Sequence, residues 1–125
     1  MREGVVTCRP DTPAAEVADT MKRHDVSALV VVDDGGFVLG VISETDLLNA
    51  VFVQPYLRHW RGMTARHLMS SPVVSVRAET PVEEATNLMH ERRIHRVVVT
   101  DPEGGRERPI GILSMTDLVR HMADA

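Results

Sequence analysis

Cysteine is almost missing from this chain: Cys8 is the only one in 125 residues, so no intramolecular disulfide can form and a reducing compartment suits it. Cys8 stands in Val5-Val6-Thr7-Cys8, a run that reads as a strand, where it is expected as a buried small hydrophobe. Long apolar runs are missing too. Nowhere do eighteen consecutive apolar residues occur, and the first dozen residues hold no apolar stretch or small-residue cleavage site. No membrane span or export signal is read, and a cytoplasmic location is expected. Basic excess is also lacking: 14 Lys and Arg against 18 Asp and Glu leave a net charge of −4, which repels a polyphosphate backbone and argues against nucleic acid as partner. His24, His59, His67, His90 and His121 show no helical i, i+4 pair and no Cys or carboxylate set at zinc spacing, so no metal is expected. A large catalytic domain does not fit in this length. With 43% hydrophobic and 26% charged residues the chain should nevertheless fold.

What the chain does contain is itself, twice. Val5–Asp33 laid over Val73–Asp101, an offset of 68, is identical at ten of 29 positions, Thr12, Pro13 and Met21 among them. After a three-residue insertion, Gly40, Ser43, Thr45, Asp46 and Leu47 match Gly111, Ser114, Thr116, Asp117 and Leu118. Each unit reads as strand, helix, strand, strand, helix. Thr12-Pro13 and Thr80-Pro81 open the first helices as N-cap and first helical residue, and Glu83 completes a capping box in the second copy. Ala14, Val17, Ala18 and Met21, and Val82, Ala85 and Met89, form their core stripes. Ala28–Val32 and Arg96–Val99 read as strands covered on both faces. Asp33–Gly36 turns the first back into Val38–Ile42, and the loop Asp101–Pro109 does the same job in the second copy. One unit buries too little apolar area to stand alone, so the fold class is α/β, two tandem β-α-β-β-α repeats related by a pseudo-twofold axis. Repeat one spans about 1–53, a linker about 54–63 and repeat two about 64–125. The linker holds the only Tyr and Trp, Tyr56 and Trp60, and is read as packing them onto its own domain.

Chemistry concentrates where an apolar strand runs into a helix, at Gly40-Val-Ile-Ser-Glu-Thr-Asp46 and Gly111-Ile-Leu-Ser-Met-Thr-Asp117. A helix N-terminus offers unpaired N–H groups and partial positive charge to phosphate, and a carboxylate one turn in can accept the hydroxyls of a ribose. Ser43 and Thr45, or Ser114 and Thr116, could donate to the phosphate. The same Ser-x-x-Asp spacing is also a plain capping box, and duplication would copy a cap as faithfully as a site. Ser43, His95 and Asp46 can be assembled into a nominal triad, but no strained nucleophile elbow accompanies them and hydrolysis is not read.

In sequence order, Thr-Pro at a helix start, then Val26-Ser-Ala-Leu-Val-Val-Val-Asp33 or Ile94-His-Arg-Val-Val-Val-Thr-Asp101, then Gly-x-x-Ser-x-x-Asp, the chain resembles the cystathionine-β-synthase (CBS) repeat. Arg66–Pro72 resembles the lead-in to a second repeat, and the likeness covers nearly the whole chain except 54–63. The resemblance implies a Bateman module: a non-enzymatic regulatory and signalling unit that binds an adenine nucleotide, AMP, ADP or ATP, and requires no cofactor. It implies one ligand-binding set of Ser43, Thr45, Asp46, Val74, Ile94, His95 and Arg96, and another of Ser114, Thr116, Asp117, Val6, Val26, Ser27 and Ala28. Of the two, the first carries an imidazole and a guanidinium for phosphate and is expected to bind more tightly. A homodimer is implied, through faces carrying Leu47, Leu48 and Val51 or Leu118, Val119 and Met122, together with an unnamed protein effector. The alternative is a ligand-free dimerisation or protein-interaction scaffold. A third reading is a piece of a transporter or dehydrogenase, because no counterpart of the lead-in stands before Val5.

Overall fold

The computed structural model describes residues 5–53 and 60–124. They divide into two compact units, one holding 6–73 and the other Val5 together with 74–124.

In the first unit β1 (Thr7–Cys8) runs parallel to β2 (Ala28–Val32), and β2 pairs antiparallel with β3 (Val38–Ser43), giving the order β1-β2-β3. All five residues of β2 are buried, as its unbroken apolar run demands of a central strand. The crossover α1 (Ala14–His24) buries Ala14, Val17 and Met21, and Asp25 ends it in the left-handed region at φ 52°. The turn into β3 is closed by Asp33, whose carboxylate accepts the Gly35 and Phe37 N–H groups at 2.9 and 3.0 Å. After β3 comes α2 (Glu44–Leu48), which widens into a π turn over Asn49–Val53.

Two further pieces complete this unit: a 3₁₀ turn at Trp60–Gly62 and α3 (Ala65–Leu68). Ala65 and Leu68 are buried in the same core as Val17, Leu29, Val31 and Ile42, with Trp60, Met63 and Met69 against it. Trp60 thus packs on its own unit, while Tyr56 lies outside the described residues. Ser70 bridges to Val41 on the outer edge of β3, in hydrogen bonds of 2.9 and 3.2 Å. Gly40 makes room for this segment: a Cβ there would meet the Met69 sulfur at 2.6 Å and the Ser70 carbonyl oxygen at 2.9 Å.

The second unit repeats the plan with β4 (Ser75–Val76), α4 (Val82–Arg92), β5 (Arg96–Glu103), β6 (Arg106–Ser114) and α5 (Met115–Asp124), in sheet order β4-β5-β6. Three expectations need correction. The loop expected over Asp101–Pro109 is strand: β5 and β6 stay paired out to Glu103 and Arg106, because Gly104 and Gly105, at φ 60° and 80°, supply a two-residue turn. Thr12 and Thr80 do not cap their helices through their side chains. Their hydroxyls accept the Arg9 and Arg77 N–H groups at 2.9 and 3.0 Å, so each helix starts after its proline and Glu83 closes no box. Val82, assigned to the core stripe, is 52% exposed, whereas its counterpart Ala14 is fully buried.

Arg77 ties the sheet of this unit together, donating to buried Thr100 at 2.8 Å and to Glu107 at 2.7 Å. That bond holds the Glu107 carboxyl below the usual carboxylate range. Among the described residues no helix is long and apolar enough to cross a membrane.

Candidate functional site

Both strand-to-helix junctions are built alike from local bonds. In the first repeat the Ser43 N–H donates to Asp46 Oδ2 at 2.7 Å, and the Asp46 N–H donates to Ser43 Oγ at 3.2 Å. In the second the Ser114 N–H donates to Asp117 Oδ2 at 3.0 Å and the Asp117 N–H to Ser114 Oγ at 3.1 Å. These are the capping boxes that the spacing announces, and they aim each carboxylate back at the helix N-terminus. Only Oδ2 is used. Among the described residues Oδ1 of Asp46 and of Asp117 takes no protein hydrogen bond, and both carboxylates are half-buried. A carboxylate fixed by its own helix, with one oxygen uncommitted, can still accept a hydroxyl from a ligand.

The junctions differ in one proton. Ser114 Oγ donates to Asp117 Oδ2 at 2.9 Å, so its hydrogen is spent within the box. Ser43 Oγ only accepts there, and among the described residues its hydrogen has no protein acceptor. Ser43 therefore keeps a donor for an anion where Ser114 does not.

The start of the second strand lies beside each box. The Glu44 N–H donates to the Ser27 carbonyl at 3.0 Å, and Ala28 pairs with Ser43 in register. Likewise the Met115 N–H donates to the His95 carbonyl at 2.8 Å, and Arg96 pairs with Ser114. Val26 and Ile94 close the preceding helices through N–H bonds to Met21 and Met89, at 3.1 and 3.0 Å. The carbonyls of Val6 and Val74 accept from Val30 and Val98, each at 3.1 Å, extending the first strand of each unit. Thr45, Thr116, Ser27 and His95 are exposed and Arg96 is half-exposed, whereas Ala28 is only 5% exposed and offers a ligand its backbone alone. Within one unit, then, Asp46 gathers Ser27 and Ala28, and Asp117 gathers His95 and Arg96. The pairing of Asp46 with Val74, Ile94, His95 and Arg96, and of Asp117 with Val6, Val26, Ser27 and Ala28, joins residues of different units. The spacing that announces a capping box is silent on which oxygen closes it, so the uncommitted Oδ1 atoms and the Ser43 proton are visible only in the structure.

Cys8 has no part in this chemistry. It is buried in β1, and desolvation, with a smaller contribution from Glu16, pushes its thiol up to about 11.

Two copies of one βαββα unit, each with a Ser-x-x-Asp box at its strand-to-helix junction, define a tandem-repeat module. The chain belongs to the CBS domain family, whose model matches residues 1–53 and 65–124. It is 33% identical over 95% of its length to the uncharacterized protein MK0525 of Methanopyrus kandleri, and spans 58% of that protein. It is 32% identical over 94% of its length to the inosine-5'-monophosphate dehydrogenase of Halobacterium salinarum, and spans 22% of that enzyme. Among solved structures it is similar to CBSX2 in complex with AMP, a CBS-pair protein of Arabidopsis thaliana, at 29% identity and a TM-score of 0.78, covering 96% of this chain and 88% of the other.

Proposed function

We propose that this CBS pair is a regulatory module, without catalysis of its own, that binds an adenine nucleotide of the AMP, ADP or ATP kind and passes its binding state to a partner. The observation that carries the reading is the carboxylate in each capping box, held by its own helix yet with Oδ1 uncommitted among the described residues. The likeness to a CBS-pair protein solved with AMP supports the ligand class. In this proposal Asp46 accepts the ribose hydroxyls, and Ser43 and Thr45 donate to the phosphates. Val74, Ile94, His95 and Arg96 complete that set, while Ser114, Thr116 and Asp117 work with Val6, Val26, Ser27 and Ala28. A ligand gripped by both repeats favours whichever arrangement lets both grip, which is how binding becomes a signal.

The module is proposed to act as a cytoplasmic homodimer. Leu48, Val119 and Met122 are 53%, 64% and 73% exposed and suit a contact between copies, whereas Leu47 packs against the core of its own unit.

Calorimetric titration with AMP, ADP and ATP tests the function. At a hundred times its dissociation constant a ligand adds about 2.7 kcal/mol to stability. Asp46→Ala should abolish both the heat and the melting shift at the first set. The variant also loses a cap worth about 1 kcal/mol, so its shift is read against its own ligand-free melting. Absence of heat with all three nucleotides at millimolar concentration would leave the scaffold as the function.

A further inference from the structure

The first helix of each repeat ends in the same way. Asp25 closes α1 and Arg93 closes α4, each in the left-handed region, at φ 52° and 54°, and each with its N–H bonded at 3.3 Å to the carbonyl three residues back. Their charges are opposite. Aspartate visits that region readily because its short side chain can bond locally, whereas arginine gains nothing there and glycine fits with less strain. Backbone geometry therefore does not account for an arginine at position 93. Nor does the helix dipole, since α4 already ends on His90 and Arg92, and α1 carries an acid at the equivalent place.

The backbone that follows Arg93 is fixed on both sides. The Ile94 N–H donates to the Met89 carbonyl at 3.0 Å, the His95 carbonyl accepts the Met115 N–H at 2.8 Å, and Arg96 pairs with Ser114. The side chains are uncommitted. Arg93 and His95 are exposed and Arg96 is half-exposed, and among the described residues none of the three has an ion pair or a side-chain hydrogen bond. A chain of net charge −4 thus sets two guanidinium groups and an imidazole within four residues, where the first repeat has Asp25, Ser27 and Ala28. Three steps of chain put the Cα atoms of Arg93 and Arg96 within about 10 Å of each other. Two such groups suit an anion of more than one phosphate.

We propose that Arg93 is a specificity-determining residue that selects a nucleoside di- or triphosphate over a monophosphate, Arg96 meeting the first phosphate and Arg93 the next. The assignment rests on the chain binding an adenine nucleotide at all. It adds to that reading a preference among AMP, ADP and ATP, and gives it to a residue that the Ser-x-x-Asp pattern does not mark.

The test is calorimetric titration of the full chain with AMP, ADP and ATP in magnesium-free buffer, beside Arg93→Gly and Arg93→Asp. The unaltered chain should bind ADP and ATP roughly tenfold more tightly than AMP. Arg93→Gly should remove that preference, weakening ADP and ATP about tenfold and AMP less than about threefold. Its ligand-free melting temperature should not fall, because glycine suits the left-handed backbone, and a damaged fold is then not the cause. Arg93→Asp, which reverses the charge as the first repeat does, should leave AMP the tightest of the three. Equal affinity of the unaltered chain for all three nucleotides, or an ADP-to-AMP ratio that survives Arg93→Gly, would overturn the assignment and leave nucleotide binding standing. A lower melting temperature in Arg93→Gly with the ratio intact would return Arg93 to the helix end alone. Absence of heat with every nucleotide would instead defeat the binding reading itself, and the assignment with it.

Discussion

At the scale of single residues, the same atom can serve the fold and be withheld from chemistry, and Cys8 is the clear case. Desolvation raises its pKa from 9.0 to about 11 in the folded chain. A raised pKa means that the fold favours the protonated thiol. The associated stability is complete below pH 9, where neither state is ionised, and drains away as the unfolded thiol ionises and pH climbs toward 11. The loss is on the order of 2–3 kcal/mol. Urea melts between pH 8.5 and 11 should show this decline, and Cys8→Ala should flatten it while costing some stability at pH 7; an identical slope in the variant would remove the assignment. Folded chain should also react slowly with a thiol reagent at pH 8. Burial of Cys8 was legible from the apolar run around it. The role of Thr12 and Thr80 was not. Their position before proline suits an N-cap, but the competing acceptor geometry, a turn closed onto Arg9 or Arg77, depends on where the first strand ends.

Elements were legible wherever periodicity was strong, as in α1, β2 and α4, and illegible where identity of the partner decides the outcome. Asp101–Pro109 is charged and proline-bearing, so it reads as loop. It is strand because Gly104-Gly105 permits a tight turn and because Asp101 pairs with Arg108 and Glu103 with Arg106 across it. The segment 64–73 shows the same limit. Its resemblance is to the lead-in of the second repeat, yet its side chains complete the core of the first, where Ala65 fits against fully buried Ala14 and Met69 lies over Gly40. Gly40→Ala tests that contact. Met69 can swing its sulfur aside, but the Ser70 carbonyl is backbone and part of the bridge to Val41. We expect a loss of about 1–3 kcal/mol, measured by chemical denaturation, with amide exchange quickening at Val41 and Ser70. Unchanged exchange at both amides would mean that the bridge does not depend on the glycine.

For the whole molecule, the question is why a duplicated chain should keep two Ser-x-x-Asp junctions whose surroundings are no longer equal. Duplication copies the Ser-x-x-Asp box intact, but the residues entering the second strand have diverged, to Val26-Ser27-Ala28 in one repeat and Ile94-His95-Arg96 in the other. The boxes themselves have diverged in the use of a proton, spent within the box at Ser114 and uncommitted at Ser43. Both differences favour phosphate at the set proposed around Asp46: a hydroxyl proton from Ser43, with an imidazole and a guanidinium from His95 and Arg96. A charge-assisted bond from Arg96 to phosphate is worth about 1.5–3 kcal/mol, or roughly a ten- to a hundredfold in affinity. Arg96→Ala should therefore weaken the tighter of two calorimetric binding events by that factor for AMP and leave adenosine, which lacks the phosphate, nearly unaffected. Ser27→Ala, in the other proposed set, should leave the tighter event unchanged for both ligands. Equal weakening of AMP and adenosine would move Arg96 from the phosphate to the sugar or base, and a loss confined to the weaker event would reverse the proposed assignment of the two sets.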